Sequence, residues 1–152
     1  MLSIIFFLSL ALIPNTQEKE KPKARVQIEF RLVESSPSEG LQEVSIESTA
    51  EKLYLYKDVI ISNNDVIAAR AIPSYTINRF DVEIDFSEEA SQRISRITAE
   101  NIGKRLAILI DGKVIVAPIL RSIISRKAVL AGNAPSFTKE EADELARKIV
   151  AQ

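Results

Sequence analysis

A helix signal, a glycine, an apolar run and a tight turn follow one another within residues 87–118, and this stretch constrains the fold more than any other. Ser87 suits the start of a helix, because its side-chain oxygen can accept from the unpaired amides of the first turn. Apolar side chains then recur at the spacing that places them on one helix face, at Ala90, Ile94 and Ile97. We therefore predict an amphipathic helix over about residues 87–102.

The second half of this stretch predicts a strand hairpin. Gly103 follows as the predicted C′ residue, where a left-handed backbone is favourable without a Cβ. The run 105–110 is too apolar for a half-exposed strand, which predicts a central position in its sheet. The Asp-Gly pair at 111–112 suits the two positive φ angles of a type I′ turn, so residues 113–116 should return antiparallel. Pro118 should then end the pairing, because it has no amide to donate.

Several blocks in and around this stretch match a known pattern of sequence. The matching blocks are TAENIGKRLAI at 98–108, DGKV at 111–114, AP at 117–118, AG at 131–132, FTKEEA at 137–142 and, more loosely, YLY at 54–56 and NDVIAAR at 64–70. In these blocks the chain resembles the head part of the first periplasmic domain of SecD, the bacterial protein-export accessory subunit. The resemblance covers about residues 53–150. Members of that family usually carry Gly at Ala90 and a Gly-Gly turn near residues 125–126, so the loop after Pro118 is expected to differ here.

The first 24 residues predict a targeting segment and a tether. Residues 1–13 are almost wholly apolar, which is short of the roughly 20 residues of a membrane span and typical of a signal-peptide core. Small residues at Ser9 and Ala11 suit cleavage after Ala11, although no Lys or Arg precedes the run. An uncleaved membrane anchor and a wrongly assigned start codon are the alternatives. Residues 14–24 are polar and indicate a linker.

The region from residue 25 to residue 71 predicts strands and one short helix. Apolar and polar side chains alternate over residues 26–32, which indicates a strand with one buried face. Residues 35–40 indicate a loop, and the resemblance places this strand and loop in the base of the periplasmic domain. Residues 53–61 indicate a short strand pair or one bulged strand. Residues 62–65 offer caps for a brief helix through Ala71, and a calcium loop is disfavoured because no closing Glu follows.

The clearest alternation in the sequence lies at residues 80–86. Phe and aliphatic side chains should face the core, while the acidic ones, Asp81, Glu83 and Asp85, should line the other face. Carboxylates in a row can serve catalysis or bind a metal. No His or Cys accompanies them, so we predict a solvated outer face.

The segment after Pro118 is the predicted contact surface. Apolar and basic residues are mixed in residues 119–127 without a clear period. The candidate partner-binding residues are Ile119, Leu120, Arg121, Ile123, Ile124 and Arg126. The alternative is that the four apolar members of this set fill the core. Residues 128–131 predict a last strand, closed by Gly132 and Asn133.

A second amphipathic helix is predicted over residues 138–150. Thr138 and Glu141 have the spacing of a capping box, and the apolar positions Ala142, Leu145, Ala146 and Ile149 follow on one face. With two long helices among antiparallel strands, the chain is predicted to be an α+β two-layer sandwich with both helices on one face of a mainly antiparallel sheet. The predicted organisation is a segment 1–13, a linker 14–24 and one domain over residues 25–152.

Composition disfavours most catalytic and nucleic-acid functions. The 152 residues include no His and no Cys, and only four Gly, so there is no pattern of a thiolate nucleophile, a zinc site or a glycine-rich phosphate loop. The formal net charge of −1 gives no basic field for nucleic acid. We predict a non-enzyme without cofactor or metal, in contact with a membrane only through residues 1–13.

The resemblance implies a binding function outside the cytoplasm. By this resemblance the chain would hold exported polypeptide emerging from the translocon, so the expected partners are exported polypeptide or a Sec translocon or envelope protein. No other apolar run approaches the length of a membrane span, so the resemblance is to the head without the membrane helices of the family. The alternative is a secreted or envelope-anchored domain that keeps the fold for another role, such as peptide immunity or scaffolding.

Overall fold

The computed structural model describes residues 25–46, 48–131 and 137–151. The predicted targeting segment 1–13, the linker 14–24 and the turn residues Gly132 and Asn133 lie outside these described residues. In chain order the elements are β1 (Ile28–Glu34), β2 (Gln42–Ser45), β3 (Lys52–Leu55), β4 (Ile61–Ser62), a 3-10 turn (Asn63–Asp65), β5 (Val66–Pro73), β6 (Phe80–Phe86), α1 (Glu88–Glu100), β7 (Arg105–Ile110), β8 (Lys113–Val116), β9 (Lys127–Leu130) and α2 (Lys139–Val150).

The strands form two sheets, and the named pairs are antiparallel. The large sheet has the order β2-β3-β1-β7-β8, and β4 also pairs with β1. The small sheet has the order β5-β6-β9. Two helices on mostly antiparallel sheets confirm the predicted α+β sandwich class. The sequence did not reveal that the strands divide between two sheets.

The helix and the hairpin form as predicted within residues 87–116. The Ser87 oxygen accepts from the amide of Ala90 at 3.3 Å. β7 lies between β1 and β8, as its apolar sequence predicts. Asp111 and Gly112 have φ angles of 50° and 77°, which confirms the turn. Gly103 has the predicted positive φ of 89°, but it lies two residues beyond the helix cap instead of one.

α2 also confirms its sequence signals. The Thr138 oxygen accepts from the amide of Glu141 at 3.2 Å, and the Glu141 carboxylate accepts from the amide of Thr138 at 2.8 Å. The helix buries Ala142, Ala146 and Ile149. Its predicted fourth apolar position, Leu145, is partly buried at the edge of the same core.

The main core lies between the two sheets and the helices. Phe30 of β1 and Phe86 of β6 meet edge to face, with ring centroids 5.7 Å apart and an interplanar angle of 88°. The core also includes Ile28, Ile84, Ile94, Leu106, Ala142 and Ile149. Side chains from every layer therefore meet in one apolar cluster.

A second core lies on the opposite face of the large sheet. Its buried residues are Val33, Ile46, Leu53, Leu55, Ala107, Leu109, Val114 and Ala117. Ile46 forms a parallel bridge with Val114, so the end of β2 meets β8. The prediction of one buried face for β1 is therefore incomplete, because Val33 enters this second core. Position 33 falls outside the alternation that predicted the strand.

The brief helix predicted through Ala71 is wrong. A 3-10 turn of three residues, Asn63–Asp65, ends directly in β5, which pairs with β6 along its length. Pairing with the strongly alternating β6 outweighs the local helix signal at this position. Of the two alternatives for residues 53–61, the strand pair is wrong, because β3 and β4 each pair with β1. They follow one another along β1, which is closer to the alternative of one bulged strand.

Asp65 joins the 3-10 turn to α1. Its carboxylate accepts from the amide of Ser62 at 2.8 Å and from the guanidinium of Arg93 at 2.6 Å. Arg93 also donates to the carbonyl of Ile60 at 2.9 Å. Burial by itself raises the pKa of Asp65, but the Ser62 amide and the Arg93 guanidinium together lower the pKa below its ordinary value. The folded chain therefore favours the charged form of Asp65.

We expect Asp65→Asn to lower the free energy of unfolding by about 1–2 kcal/mol near neutral pH, because a partly buried charge-assisted contact is lost. The lowered pKa means that the folded chain binds fewer protons than the unfolded chain near the ordinary value of 3.8. The contribution of Asp65 is then complete above that value and is lost as pH falls through the lower folded pKa. Urea unfolding at several pH values should show this acid-side slope reduced in the variant.

The control is Asp143→Asn, which breaks an exposed pair with Lys139 of 2.7 Å within α2. We expect this change to alter stability by less than about 0.5 kcal/mol. An equal loss of unfolding free energy in both variants would mean that the contacts of Asp65 stabilise the fold no more than an exposed ion pair does.

Candidate functional site

The backbone after β8 continues in the large sheet past Pro118. The amide of Leu106 donates to the carbonyl of Pro118 at 3.0 Å, and the amide of Leu120 donates to the carbonyl of Lys104 at 2.8 Å. The prediction that Pro118 ends the pairing is therefore wrong. Pro118 lacks a donor, but its carbonyl still accepts, so pairing continues for two more residues.

Helix α1 then holds the chain at Ile124. The Ile124 amide donates to the hydroxyl oxygen of Thr98 at 3.1 Å, and the Ile124 carbonyl accepts from the hydroxyl of Ser95 at 3.1 Å. Thr98 is completely buried and also donates to the carbonyl of Ile94 at 2.7 Å. Two residues later, the carbonyl of Arg126 accepts from the amide of Phe86 at 2.9 Å, where β9 begins. Both ends of the 118–126 segment are thus attached to the fold.

The structure divides the predicted partner-binding residues between surface and core. Ile119 and Ile123 are 52% and 57% exposed. Leu120 is buried, and Ile124 is partly buried against the main core. Arg121 and Arg126 are exposed. The core alternative therefore applies to Leu120 and in part to Ile124, while the binding role of the set stays a prediction.

A cleft of about 570 Å³ lies between this segment and β9. It is lined by Phe30, Leu106, Ile108, Pro118, Leu120, Ser122, Ile123, Ile124, Ser125, Arg126, Lys127, Ala128 and Val129. The lining includes Phe30, Leu106 and Ile108 of the large sheet, so the cleft opens onto the main core. Of the six predicted residues, Leu120, Ile123, Ile124 and Arg126 line it.

A second cleft of about 460 Å³ adjoins the first. The two clefts share Ile108, Pro118 and Val129. At the far side of the second cleft, the Arg105 guanidinium contacts both carboxylate oxygens of Glu51, at 2.6 and 3.2 Å. Hydrogen bonding to Arg105 lowers the pKa of Glu51, so the Glu51 carboxylate stays charged and paired with Arg105. The two clefts form one groove, whose shared lining is apolar.

The groove has a basic border. Among the residues that the structure describes, Arg121 and Arg126 have no ion-pair partner. The next cation along the chain, Lys127 at the start of β9, contacts Glu83 at 3.1 Å. An acidic group on a bound molecule would therefore find an available guanidinium beside the groove, at Arg126.

The acidic row of β6 is not the solvated face that its sequence predicts. Asp81 is only 6% exposed, and one of its carboxylate oxygens is buried without a hydrogen-bond partner. Arg70 binds both Glu83 and Asp85, and Lys127 reaches the same two carboxylates. The basic residues come from the neighbouring strands, which a reading of β6 alone could not reveal. In the described part of the chain, no cluster of three or more acidic side chains has an arrangement that could hold a metal ion.

Two features of the site were missed from the sequence. Thr98 and Ser95 were assigned no role. Thr98 follows Ile94 by four residues and so shares the apolar helix face, where a buried hydroxyl needs a hydrogen-bond partner. The floor of the groove was missed as well, because it comes from strands far apart in sequence.

None of the helices in the described ranges is long and apolar enough to cross a bilayer.

Comparison with known proteins gives a consistent likeness. The family described as "SecDF, P1 head subdomain" matches residues 38–151. The chain is 30% identical over 125 residues to the protein translocase subunit SecD of Acetobacter pasteurianus, which covers 74% of this chain and 24% of that protein. It is 45% identical over 65 residues to SecD of Aquifex aeolicus, which covers 43% of this chain and 12% of that protein. The chain thus spans a quarter or less of the length of these curated relatives.

Solved structures show the same likeness. A crystal structure of SecDF in a super-membrane-facing form matches with a TM-score of 0.65 and 26% identity, over 85% of this chain and 19% of that chain. A second structure, described as a membrane component SecDF that enhances protein export, matches with a TM-score of 0.63 and 26% identity, over 85% of this chain and 64% of that chain. The residues matched by the family model, 38–151, contain the 118–126 segment and β9, while Phe30 of the groove precedes them.

Proposed function

This chain belongs to the SecDF P1 head subdomain family, and from that premise we propose that it is a non-catalytic binding domain of protein export, which holds exported polypeptide. The observation that carries the proposal is the groove between the 118–126 segment and β9, with exposed Ile123 at its border. Apolar contact suits this role, because it accepts many sequences without requiring one set of hydrogen bonds.

The attachment of the segment to the fold supports the same role. The amide of Ile124 donates to the Thr98 hydroxyl, and the carbonyl of Ile124 accepts from the Ser95 hydroxyl. The carbonyl of Arg126 accepts from the amide of Phe86. Ile123 is therefore presented from a backbone that is fixed on both sides. A surface that is already ordered loses less conformational entropy when a partner binds.

In this role the chain catalyses no covalent reaction. Without His or Cys, general acid–base catalysis would depend on carboxylates or hydroxyls. The closest row of carboxylates includes Glu83 and Asp85, and both contact Arg70 and Lys127. Such pairs favour a structural role for these residues.

We also propose that the domain acts outside the cytoplasm and that residues 1–13 direct it there, by cleavage or as an anchor. The partners on this proposal are exported polypeptide or a Sec translocon or envelope protein. The solved SecDF protein of similar fold is described as enhancing protein export, which is consistent with this assignment.

Photocrosslinking in cells tests the proposed function. The full chain is expressed with p-benzoylphenylalanine at position 123, at the groove, and separately at position 77, where Ile77 is 86% exposed and lines neither cleft. We expect irradiation to give adducts with exported polypeptide from position 123 and few from position 77. Absence of exported or envelope proteins among the adducts of position 123 would contradict the proposal. Equal adducts from both positions would contradict the assignment to the groove.

A further inference from the structure

Strand β9 is the edge of the small sheet, and one side of its backbone is unpaired. The carbonyl of Arg126 accepts from Phe86, and Ala128 lies opposite Ile84 in the same register. Antiparallel pairing alternates along a strand, so Val129 and Ala131 direct their N–H and C=O groups away from β6. Within the described ranges no backbone hydrogen bond from these two residues reaches another strand or loop. As far as the described ranges go, β9 therefore presents unpaired donors and acceptors.

The free side of β9 borders the groove. Val129 lines both clefts, and Ala131 lines the second one. Side chains of a strand added here would point alternately to the two faces of the small sheet. The inner set would lie over Ile108 and Leu106, which line the cleft from the large sheet. An added strand would thus satisfy the edge and cover apolar surface in one step.

The other edge of the small sheet is protected, whereas β9 is not. Natural edge strands avoid pairing by bulges, charged residues and prolines. β5 has all three, in the register shift between Val66 and Ala68, the central Arg70 and the terminal Pro73. β9 has no bulge and no proline, and the side chain of its one charged residue, Lys127, contacts Glu83 and Asp85 of β6. The difference between the two edges, in bulge and proline, indicates that β9 is the one open to a partner.

We propose that β9 binds an extended polypeptide segment as an added strand, with every second side chain apolar and directed into the groove and an acidic residue near Arg126. This inference rests on the proposed function and specifies how the polypeptide is held. A peptide backbone is the partner that supplies alternating donors and acceptors along an edge strand. The acidic residue follows from charge complementarity, because Arg126 lines the cleft and has no ion-pair partner in the described part of the chain.

Backbone methylation of a peptide tests this mode of binding. The probe is a fluorescent eight-residue peptide of alternating Val and Thr with one terminal Glu, measured by anisotropy against the full chain. Two further peptides carry N-methyl groups on the Val set or on the Thr set. In an added strand only one set directs its N–H groups toward β9, so we expect one methylated peptide to bind at least about tenfold more weakly and the other within about twofold of the parent.

The outcomes separate the inference from the proposed function. If the parent binds and both methylated peptides bind equally well, strand addition is wrong while polypeptide binding stands. If the parent does not bind, both are contradicted. Amide hydrogen exchange gives a second readout, because the amides of Val129 and Ala131 should become protected when the parent peptide binds. Unchanged exchange at both amides with the peptide bound would also overturn strand addition.

A variant of the edge tests the same contact from the protein side. Val129→Pro removes an outward amide and leaves the bonds of Ala128 and Leu130 to β6 in place, as edge strands tolerate. We expect about tenfold weaker binding of the parent peptide. Val129→Thr retains the amide and should bind within about twofold. If both variants bind the peptide as tightly as the unaltered chain does, the peptide does not use this edge. If Val129→Pro does not fold, the comparison of the two methylated peptides decides the question.

Discussion

Phe30→Ala is expected to lower the free energy of unfolding by about 3–5 kcal/mol, the largest loss among the substitutions considered. Phe30 is completely buried at the centre of β1 and meets Phe86 edge to face across the two sheets. Removing the ring deletes its apolar contacts and leaves a cavity that rigid strands on both sides cannot fill. Urea unfolding followed by circular dichroism measures the change.

The matched control removes an aromatic ring that is fully exposed. Tyr75 lies at the tip of the β5–β6 hairpin, and Tyr75→Ala is expected to change stability by less than about 0.5 kcal/mol. A loss below about 1 kcal/mol for Phe30→Ala would mean that the two sheets do not share the core described above. Because Phe30 also lines the groove, the variant should bind peptides more weakly even under conditions where it remains folded.

The parts of the fold that the sequence predicted correctly depend on residues close together in the chain. Ser87 and Thr138 each cap a helix through an amide three residues away. The Asp-Gly turn at 111–112 needs positive φ at two adjacent residues, and both have it. Local chemistry of this kind can be read from the sequence, so both helices and the central hairpin were predicted.

The parts that were wrong depend on distant residues. Asn63 was considered a helix cap or calcium ligand, but its side chain donates to the carbonyls of Val26 and Ile149, both at 2.9 Å, and accepts from the amide of Ile28. Asp81 was predicted to be solvated, yet its position in the small sheet buries it. A period-2 pattern tells which side chains share a face, but it does not tell what covers that face.

The candidate site was predicted only in part for the same reason. The mixed composition of residues 119–127 left open whether the apolar side chains form a contact surface or fill the core, and the structure exposes Ile119 and Ile123 but buries Leu120. The groove itself is formed by β1, β7 and β9 together with this segment. These strands are far apart in the chain, so no local pattern could predict the groove or the free edge of β9.

Thr98→Val is expected to lower the free energy of unfolding by about 1–3 kcal/mol, because the buried amide of Ile124 loses its acceptor. Valine has nearly the shape of threonine, so the change removes the hydroxyl with little loss of packing. The affected amide is in the backbone of the 118–126 segment, and that hydrogen bond spans 26 residues of sequence. We therefore expect faster hydrogen exchange at Ile124 in addition to the loss in urea unfolding.

Ser95→Ala provides the comparison, because Ser95 is the other α1 hydroxyl that contacts the backbone of Ile124. Ser95 is only partly buried, so the carbonyl of Ile124 can accept from water when the serine hydroxyl is removed. We expect a loss of less than about 1 kcal/mol and slower exchange at Ile124 than in Thr98→Val. If the hydrogen bonds of Thr98 and Ser95 to Ile124 keep the groove in the shape that binds peptide, Thr98→Val should also weaken peptide binding more than Ser95→Ala does. Unchanged exchange at Ile124 in Thr98→Val would mean that the segment is ordered by Leu120 and the core, and that the helix hydroxyls do not determine the shape of the groove.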